Sequence, residues 1–152
     1  MKLEILTGLP ASKKSTYALA NRDDKTLIVS RDNIRYAQYG IWHSPDMNEG
    51  WITKLEKQQI ISAFENGYNV ISDGTNLHKS NVQKLYDLAA QFQAEVVHTY
   101  FEVPPETCIE YDAHREKKVG AKVINRMAKR AGINAAGKIP RNKFVYHKVT
   151  PN

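Results

Sequence analysis

The chemistry in this chain starts at Gly8-Leu9-Pro10-Ala11-Ser12-Lys13-Lys14-Ser15-Thr16. A glycine, four residues, a further residue and then Lys-Ser follow the P-loop frame Gly-x-x-x-x-Gly-Lys-[Ser/Thr], except that Lys13 stands where the frame has its second glycine. In such a loop successive backbone N–H groups at a helix N-terminus surround phosphate. The lysine reaches the outer phosphates and the hydroxyl that follows it holds Mg2+. Lys14 and Ser15 are therefore the expected triphosphate and Mg2+ ligands. The glycine absent from position 13 ordinarily supplies φ > 0 and close approach to phosphate. A lysine held in left-handed geometry costs about 1–2 kcal/mol, or about 5–30-fold in the competent population. Lys13→Gly is accordingly expected to raise activity or nucleotide affinity.

Further polar residues recur at matching places. Asp32 and Arg35 are three apart at a helix start, so both can face one cleft. The carboxylate can take a proton from an attacking hydroxyl, and the arginine can grip a neighbouring phosphate bidentately. Asp73 ends an apolar run, with Thr75 two residues on, and can hold Mg2+ through water or orient an acceptor. Arg115 lies in a basic segment and can close over phosphates. Taken singly, each also fits a plain structural role such as a cap, a turn or a surface ion pair.

These residues need a scaffold that gathers them. Lys2–Thr7, Thr26–Ser30, Asn69–Asp73 and Glu95–Phe101 read as short, apolar strands, as expected for strands covered on both faces. Helices are expected from Ser15, from Arg31 towards Tyr39, from about Ile52 to Asn66, after a Ser80-x-x-Gln83 capping box, after Pro104-Pro105 towards Arg115, and around Val123-Ile124-Met127. Gly67 reads as the stop of the third of these. The connector Gly40 to Gly50, with Trp42, His43 and Pro45, reads as a packed lid or a surface contact. Alternation of strands and helices predicts an α/β three-layer fold with a mainly parallel sheet, in which ligands gather beyond the C-terminal strand ends. The first three strands deliver polar groups there.

Bulk properties set outer bounds. With 152 residues, 41% hydrophobic and 25% charged, the chain suits one domain with a real core. Residues 1–131 are expected to form it, with a lid segment around 113–121 and a basic tail over 132–152; Phe144-Val145-Tyr146 reads as a short edge strand. No apolar run approaches the ~20 residues of a membrane span and no signal-peptide layout opens the chain, so a cytoplasmic protein without a membrane partner is expected. The lone Cys108 excludes an internal disulfide and reads as a small buried hydrophobe. The net charge of +6 is uneven: residues 1–112 hold 11 Lys/Arg against 15 Asp/Glu, and residues 113–152 hold 11 against Glu116 alone. That asymmetry favours a polyanionic partner, although a solvated basic face produces the same composition.

In this order and spacing the motifs resemble the kinase domain of phage-type polynucleotide kinases, P-loop phosphotransferases near the adenylate-kinase group. The likeness covers about residues 3–130. It rests on the loop at 8–16, Arg31-Asp32-Asn33-Ile34-Arg35, Ile71-Ser72-Asp73-Gly74-Thr75-Asn76-Leu77, Phe101-Glu102-Val103-Pro104, and Val123-Ile124-x-x-Met127 after Arg115. The resemblance implies transfer of the γ-phosphate of ATP, with Mg2+, to 5′-hydroxyl ends of DNA or RNA. It assigns Gly8, Ser12, Lys13, Lys14, Ser15 and Thr16 to the nucleotide, and Asp32 to the general base. Arg35, Asp73 and Thr75 go to the acceptor side, and Arg115 to the donor phosphates. The Asp-x-Asp motif of the family's phosphatase half does not occur in these residues, so kinase activity alone is expected of them. Two other readings stay open: a small-molecule kinase on the same fold, and a kinase-like module that binds nucleic acid without turnover because of Lys13. Oligomeric state is not legible in the sequence.

Overall fold

The computed structural model describes residues 1–141. The elements run β1 (Lys2–Gly8), α1 (Lys14–Asn21), β2 (Thr26–Ser30), α2 (Arg31–Tyr39), α3 (Glu49–Glu65), β3 (Asn69–Asp73), α4 (Lys79–Gln91), β4 (Glu95–Phe101), α5 (Pro105–Asp112) and α6 (Ala121–Ala131). Among the described residues the strands form one parallel sheet, ordered β2-β3-β1-β4. The α/β class and all four strands match the sequence reading.

Alternation along β1 divides its side chains between two faces. Leu3 and Ile5 enter a large core with Ile52, Ile60 and Phe64 of α3 and Val82 and Leu85 of α4. Leu6 meets Ile71 and Ala18, with Ile28, Tyr17 and Phe101 packed around them under α1. Cys108 is fully buried in the larger core, as a small hydrophobe would be.

Register positions the site. Ser30 is level with Asp73, and Gly8 with Phe101. The first turn of α2 therefore opens at the height of Asp73, and both lie beside the loop that leaves β1. The Ser30 side chain caps α2 by accepting from the Asn33 amide.

Several boundaries differ from expectation, each for a local reason. Helix α3 begins at Glu49 because Asn48 caps it, accepting from the Trp51 amide at 3.0 Å; that cap draws Gly50 into the first turn. Ser80 does not cap α4. The helix already starts at Lys79, after His78, so Ser80 lies within its first turn. Helix α5 ends at Asp112, short of Arg115, because Asp112 turns to another task described below.

Beyond α6 the chain packs onto the domain as far as it is described. Ile133 and Ile139 are buried, and the Ile139 amide donates to Glu102 at 2.9 Å. Gly137 has φ +85° and lies so close to Val103 that an added Cβ would sit 2.4 Å from its carbonyl carbon. Only glycine fits there. The expected Phe144–Tyr146 strand lies outside the described residues.

Candidate nucleotide and phosphoryl-acceptor site

The loop between β1 and α1 bends through two left-handed, non-glycine residues, Ala11 (φ 64°) and Lys13 (φ 74°). Position 13 thus has the geometry that glycine ordinarily supplies, and lysine adopts it. One compensation is visible: the Lys13 ammonium lies 4.5 Å from the centroid of the Tyr111 ring, a contact worth about 0.5–1 kcal/mol at an exposed site. At the other end of the loop, a Cβ on Gly8 would stand 2.8 Å from the Phe101 Cβ and 2.9 Å from the Ser12 Oγ. The loop closes against β4 only because residue 8 has no side chain. The Gly8 amide is donated to the Thr75 carbonyl, which ties the loop to the end of β3.

Lys14 folds back over this loop. Its ammonium donates to the Leu9 carbonyl at 2.6 Å and the Ser12 hydroxyl at 3.2 Å. Burial pulls its pKa down to about 8, the charges of Asp73 and Asp32 oppose that shift, and Arg115 adds to it. A buried cation with only neutral hydrogen-bond partners is suited to take an anion. Ser15, the next residue, donates its hydroxyl to Asp73 Oδ2 at 2.8 Å. This hydroxyl–carboxylate pair offers the oxygen donors a Mg2+ ion takes; Mg2+ keeps most of its waters and needs only one or two protein oxygens. The donor set therefore fits the metal. Thr16 is exposed at the first turn of α1.

Helix α2 presents Asp32 and Arg35. Arg35 Nη1 donates to Asp32 at 2.9 Å, while its Nε and Nη2 hold Glu49 at 3.0 and 2.6 Å. The bonds and charges of Glu49 and Asp32 outweigh the opposing effect of burial and raise the Arg35 pKa; the Arg35 hydrogen bond holds Glu49 below the usual carboxylate range. Arg31 braces the same cluster from Glu49, Glu56 and Thr53.

Lys117 joins this cluster to Ser15. Its ammonium stands 3.5 Å from Ser15 Oγ and 3.7 Å from Asp32 Oδ2, and 5.5 Å from the centroid of the Trp42 ring. The segment that carries it is knotted by Asp112, whose carboxylate accepts from the Val119 and Gly120 amides and from Arg115 Nε at 2.8 Å. Burial pushes Asp112 up, yet those donors outweigh it and hold the carboxyl below its ordinary value. Arg115 is thus anchored at the base of the segment, close enough to Lys14 to act on its charge, while Lys117 reaches the middle of the site. A cleft of about 730 Å3 opens beside Ser15, Asp73 and Lys117 and runs between α1 and α3.

The predicted residues Gly8, Ser12, Lys14, Ser15, Asp32, Arg35, Asp73 and Thr75 consequently gather at one end of the sheet. Lys117, Glu49 and Asp112 belong to the same network and were not singled out from sequence, and Trp42 joins it from the connector that read as a packed lid or surface contact. Lys117 had a signal in the basic segment it shares with Arg115. Glu49 had none, since a helix-start glutamate is ordinary. Among the described residues no helix is long and apolar enough to cross a membrane.

Comparison with known proteins bears on the family and the fold. A family model described as an AAA domain matches residues 3–132. The chain belongs to that AAA domain family. Its fold is that of the P-loop kinases. The L-seryl-tRNA(Sec) kinase of Methanococcus maripaludis is 29% identical over 131 residues, covering 82% of this chain and 50% of the relative. A chain in the structure of the Pnkp1/Rnl/Hen1 RNA repair complex superimposes with a TM-score of 0.79 at 25% identity, covering 99% of this AAA domain protein and 48% of the other. The Mycobacterium tuberculosis APS kinase CysC, solved with AMPPNP and APS, shares the fold at TM-score 0.57 and 15% identity, over 74% of this chain and 69% of that one. The AAA domain chain spans about half the length of the curated relative and of the RNA repair chain.

Proposed function

We propose that the chain transfers the γ-phosphate of ATP to a 5′-hydroxyl end of a polynucleotide. The observation that carries the reading is the convergence on Lys117. One ammonium lies within 4 Å of both the Ser15 hydroxyl, on the donor side, and the Asp32 carboxylate, on the acceptor side. A phosphoryl group passing from the loop to a hydroxyl at Asp32 crosses that point.

Each residue then has a physical task. Backbone amides of the loop and the N-terminus of α1 take the phosphates, and Lys14 exchanges its Leu9 and Ser12 partners for phosphate oxygen. Ser15 and Asp73 would hold Mg2+, which when bound would supply positive charge against that of the phosphates. Asp32 accepts the proton of the acceptor hydroxyl as its oxygen forms the new bond to γ-phosphorus; the bond from phosphorus to the bridging oxygen breaks and ADP leaves. Arg35 is the group placed to grip the acceptor's adjoining phosphate, with Glu49 fixing its orientation. Lys117 offers positive charge to the group in transit, and Arg115 supports it through Asp112.

Both the tRNA kinase and the RNA repair complex favour a nucleic-acid acceptor, as does the charge of the C-terminal quarter. Labelled ATP with Mg2+, offered in parallel to 5′-hydroxyl DNA and RNA oligonucleotides, seryl-tRNA and a metabolite panel, tests the proposal. Transfer to an oligonucleotide 5′ end is expected. Transfer to seryl-tRNA or a metabolite with none to the oligonucleotides would refute it. Asp32→Asn should slow transfer about 10²–10⁴-fold with ATP binding retained; a large loss of ATP affinity would remove Asp32 from the role of base.

A further inference from the structure

An aromatic cluster stands beside Asp32 and Arg35, and apart from the Lys117 ammonium over the Trp42 ring it has no task in the chemistry above. Among the described residues, seven large hydrophobic side chains are exposed, and four of them, Tyr36, Tyr39, Ile41 and Trp51, fall within residues 36–51. Tyr36 stacks on Trp42 with ring centroids 4.2 Å apart and planes 26° from parallel. Tyr39 meets Trp51 edge-on, and its hydroxyl accepts from the Asn48 amide. The connector is therefore held in place by its aromatics, yet Tyr36 keeps 45% of its surface in solvent.

The location of the stack gives it meaning. Tyr36 is four residues beyond Asp32 on α2, so it lies on the same helix face about 6 Å along the axis. Trp42 carries the Lys117 ammonium over its ring, and that ammonium is the one beside Asp32. From the catalytic carboxylate to the stacked rings there is thus a continuous path of contacts: Asp32, Lys117, Trp42, Tyr36. A flat, polarisable surface one helical turn from the acceptor position, with Lys117 and Arg35 beside it, matches a nucleotide in shape and charge. The ring face takes a base and the cations take its phosphate.

We infer that the Tyr36–Trp42 stack is the base-binding subsite for the 5′-terminal nucleotide of a single-stranded acceptor. A base extends the stack while its 5′ hydroxyl lies at Asp32. Every base has a π face, so the subsite grips the end of the chain with little regard to sequence. It rests on the phosphotransferase reading above and supplies what that reading lacks, a feature that distinguishes a nucleotide from a simple alcohol.

The test measures binding of 3′-labelled, 5′-hydroxyl single-stranded oligonucleotides to the full chain by fluorescence anisotropy, without ATP, and phosphorylation of the same oligonucleotides in parallel. One oligonucleotide is intact and a second lacks the base of its 5′-terminal nucleotide. Stacking on aromatic side chains sets the expected loss per base at about 5–150-fold. Tyr36→Ala should raise Kd and the oligonucleotide KM within that range while leaving the KM for ATP unchanged; Trp42→Ala should raise the oligonucleotide Kd within the same range, and Trp42→Phe should retain most of the affinity. Removing the terminal base should cost the wild-type chain a similar factor and cost Trp42→Ala nothing further. Equal wild-type affinity for the intact and base-free oligonucleotides overturns the inference, as does a full multiplicative penalty when both changes are combined. Failure to bind any oligonucleotide, or binding of a monosaccharide in its place, overturns it as well. Binding through the stack without phosphate transfer would leave the subsite standing and refute the kinase reading instead. Circular dichroism and urea midpoints check that the variants fold; the exposed setting of Tyr36 predicts that they do.

Discussion

Replacing Lys13 separates two opposing energies in the loop. The backbone there is left-handed, φ 74° and ψ 23°, which costs an L-residue about 1–2 kcal/mol. Against that, the ammonium over Tyr111 returns about 0.5–1 kcal/mol. Lys13→Ala keeps the backbone penalty and loses the ring contact, so it should be less stable than wild type by about 0.5–1 kcal/mol. Lys13→Gly loses the same contact and removes the penalty, so it should exceed Lys13→Ala by about 1–2 kcal/mol and equal or exceed wild type. Urea unfolding with matched m-values reads these differences as shifts in midpoint. Nucleotide affinity follows the same logic. Where the strain opposes closure of the loop on phosphate, glycine raises ATP affinity by up to about 5–30-fold, measured by calorimetry with a non-hydrolysable analogue. Equal stability of the alanine and glycine variants would refute the left-handed backbone as a source of strain. Weaker nucleotide binding by Lys13→Gly would show that the Lys13 charge contributes to phosphate more than its backbone costs.

The remaining expectations concern charge. Lys14 titrates at about 8 in the folded chain against 10.5 when unfolded. The unfolded state therefore binds more protons between these values, and stability should rise with pH across pH 8–10.5, by a total on the order of 3 kcal/mol. Phosphate restores the charge, so nucleotide binding at pH 9 should take up a proton, detected by calorimetry in buffers of different ionisation enthalpy; no uptake would refute the contact. His98 contacts the Thr7 hydroxyl at 2.7 Å, and burial, aided by Arg141, pushes its pKa down to about 4. The unfolded state alone binds that proton between pH 6.5 and 4, so stability should fall as pH drops through this window, and His98→Asn should flatten the slope. Lys117→Met should lower kcat about 10²-fold with ATP binding largely kept; loss of ATP affinity equal to the loss of kcat would make Lys117 a ground-state ligand only.

What was legible in the sequence was whatever depended on neighbours in the chain. Apolar runs of five to seven residues marked β1 to β4, and the glycine, serine and aspartate that end β1, β2 and β3 marked the strand ends where Gly8, Asp32 and Asp73 collect. The frame at Gly8–Thr16 marked the phosphate loop, and even the conflict at Lys13 was visible, because a φ requirement belongs to a single position. Ala11 was not, since nothing in an alanine side chain marks the left-handed backbone that the loop imposes on it. Long-range pairings were hidden too. Asp112 fell inside the helix expected towards Arg115, yet its carboxylate ties the Val119 and Gly120 amides into a knot that fixes the segment bearing Lys117. Arg115, prominent by family resemblance, is anchored to Asp112 through Nε, and Lys117, one charge of the same basic segment, stands between the Ser15 hydroxyl and the Asp32 carboxylate. A position in sequence shows that a segment carries positive charge; its anchoring shows where each charge stands.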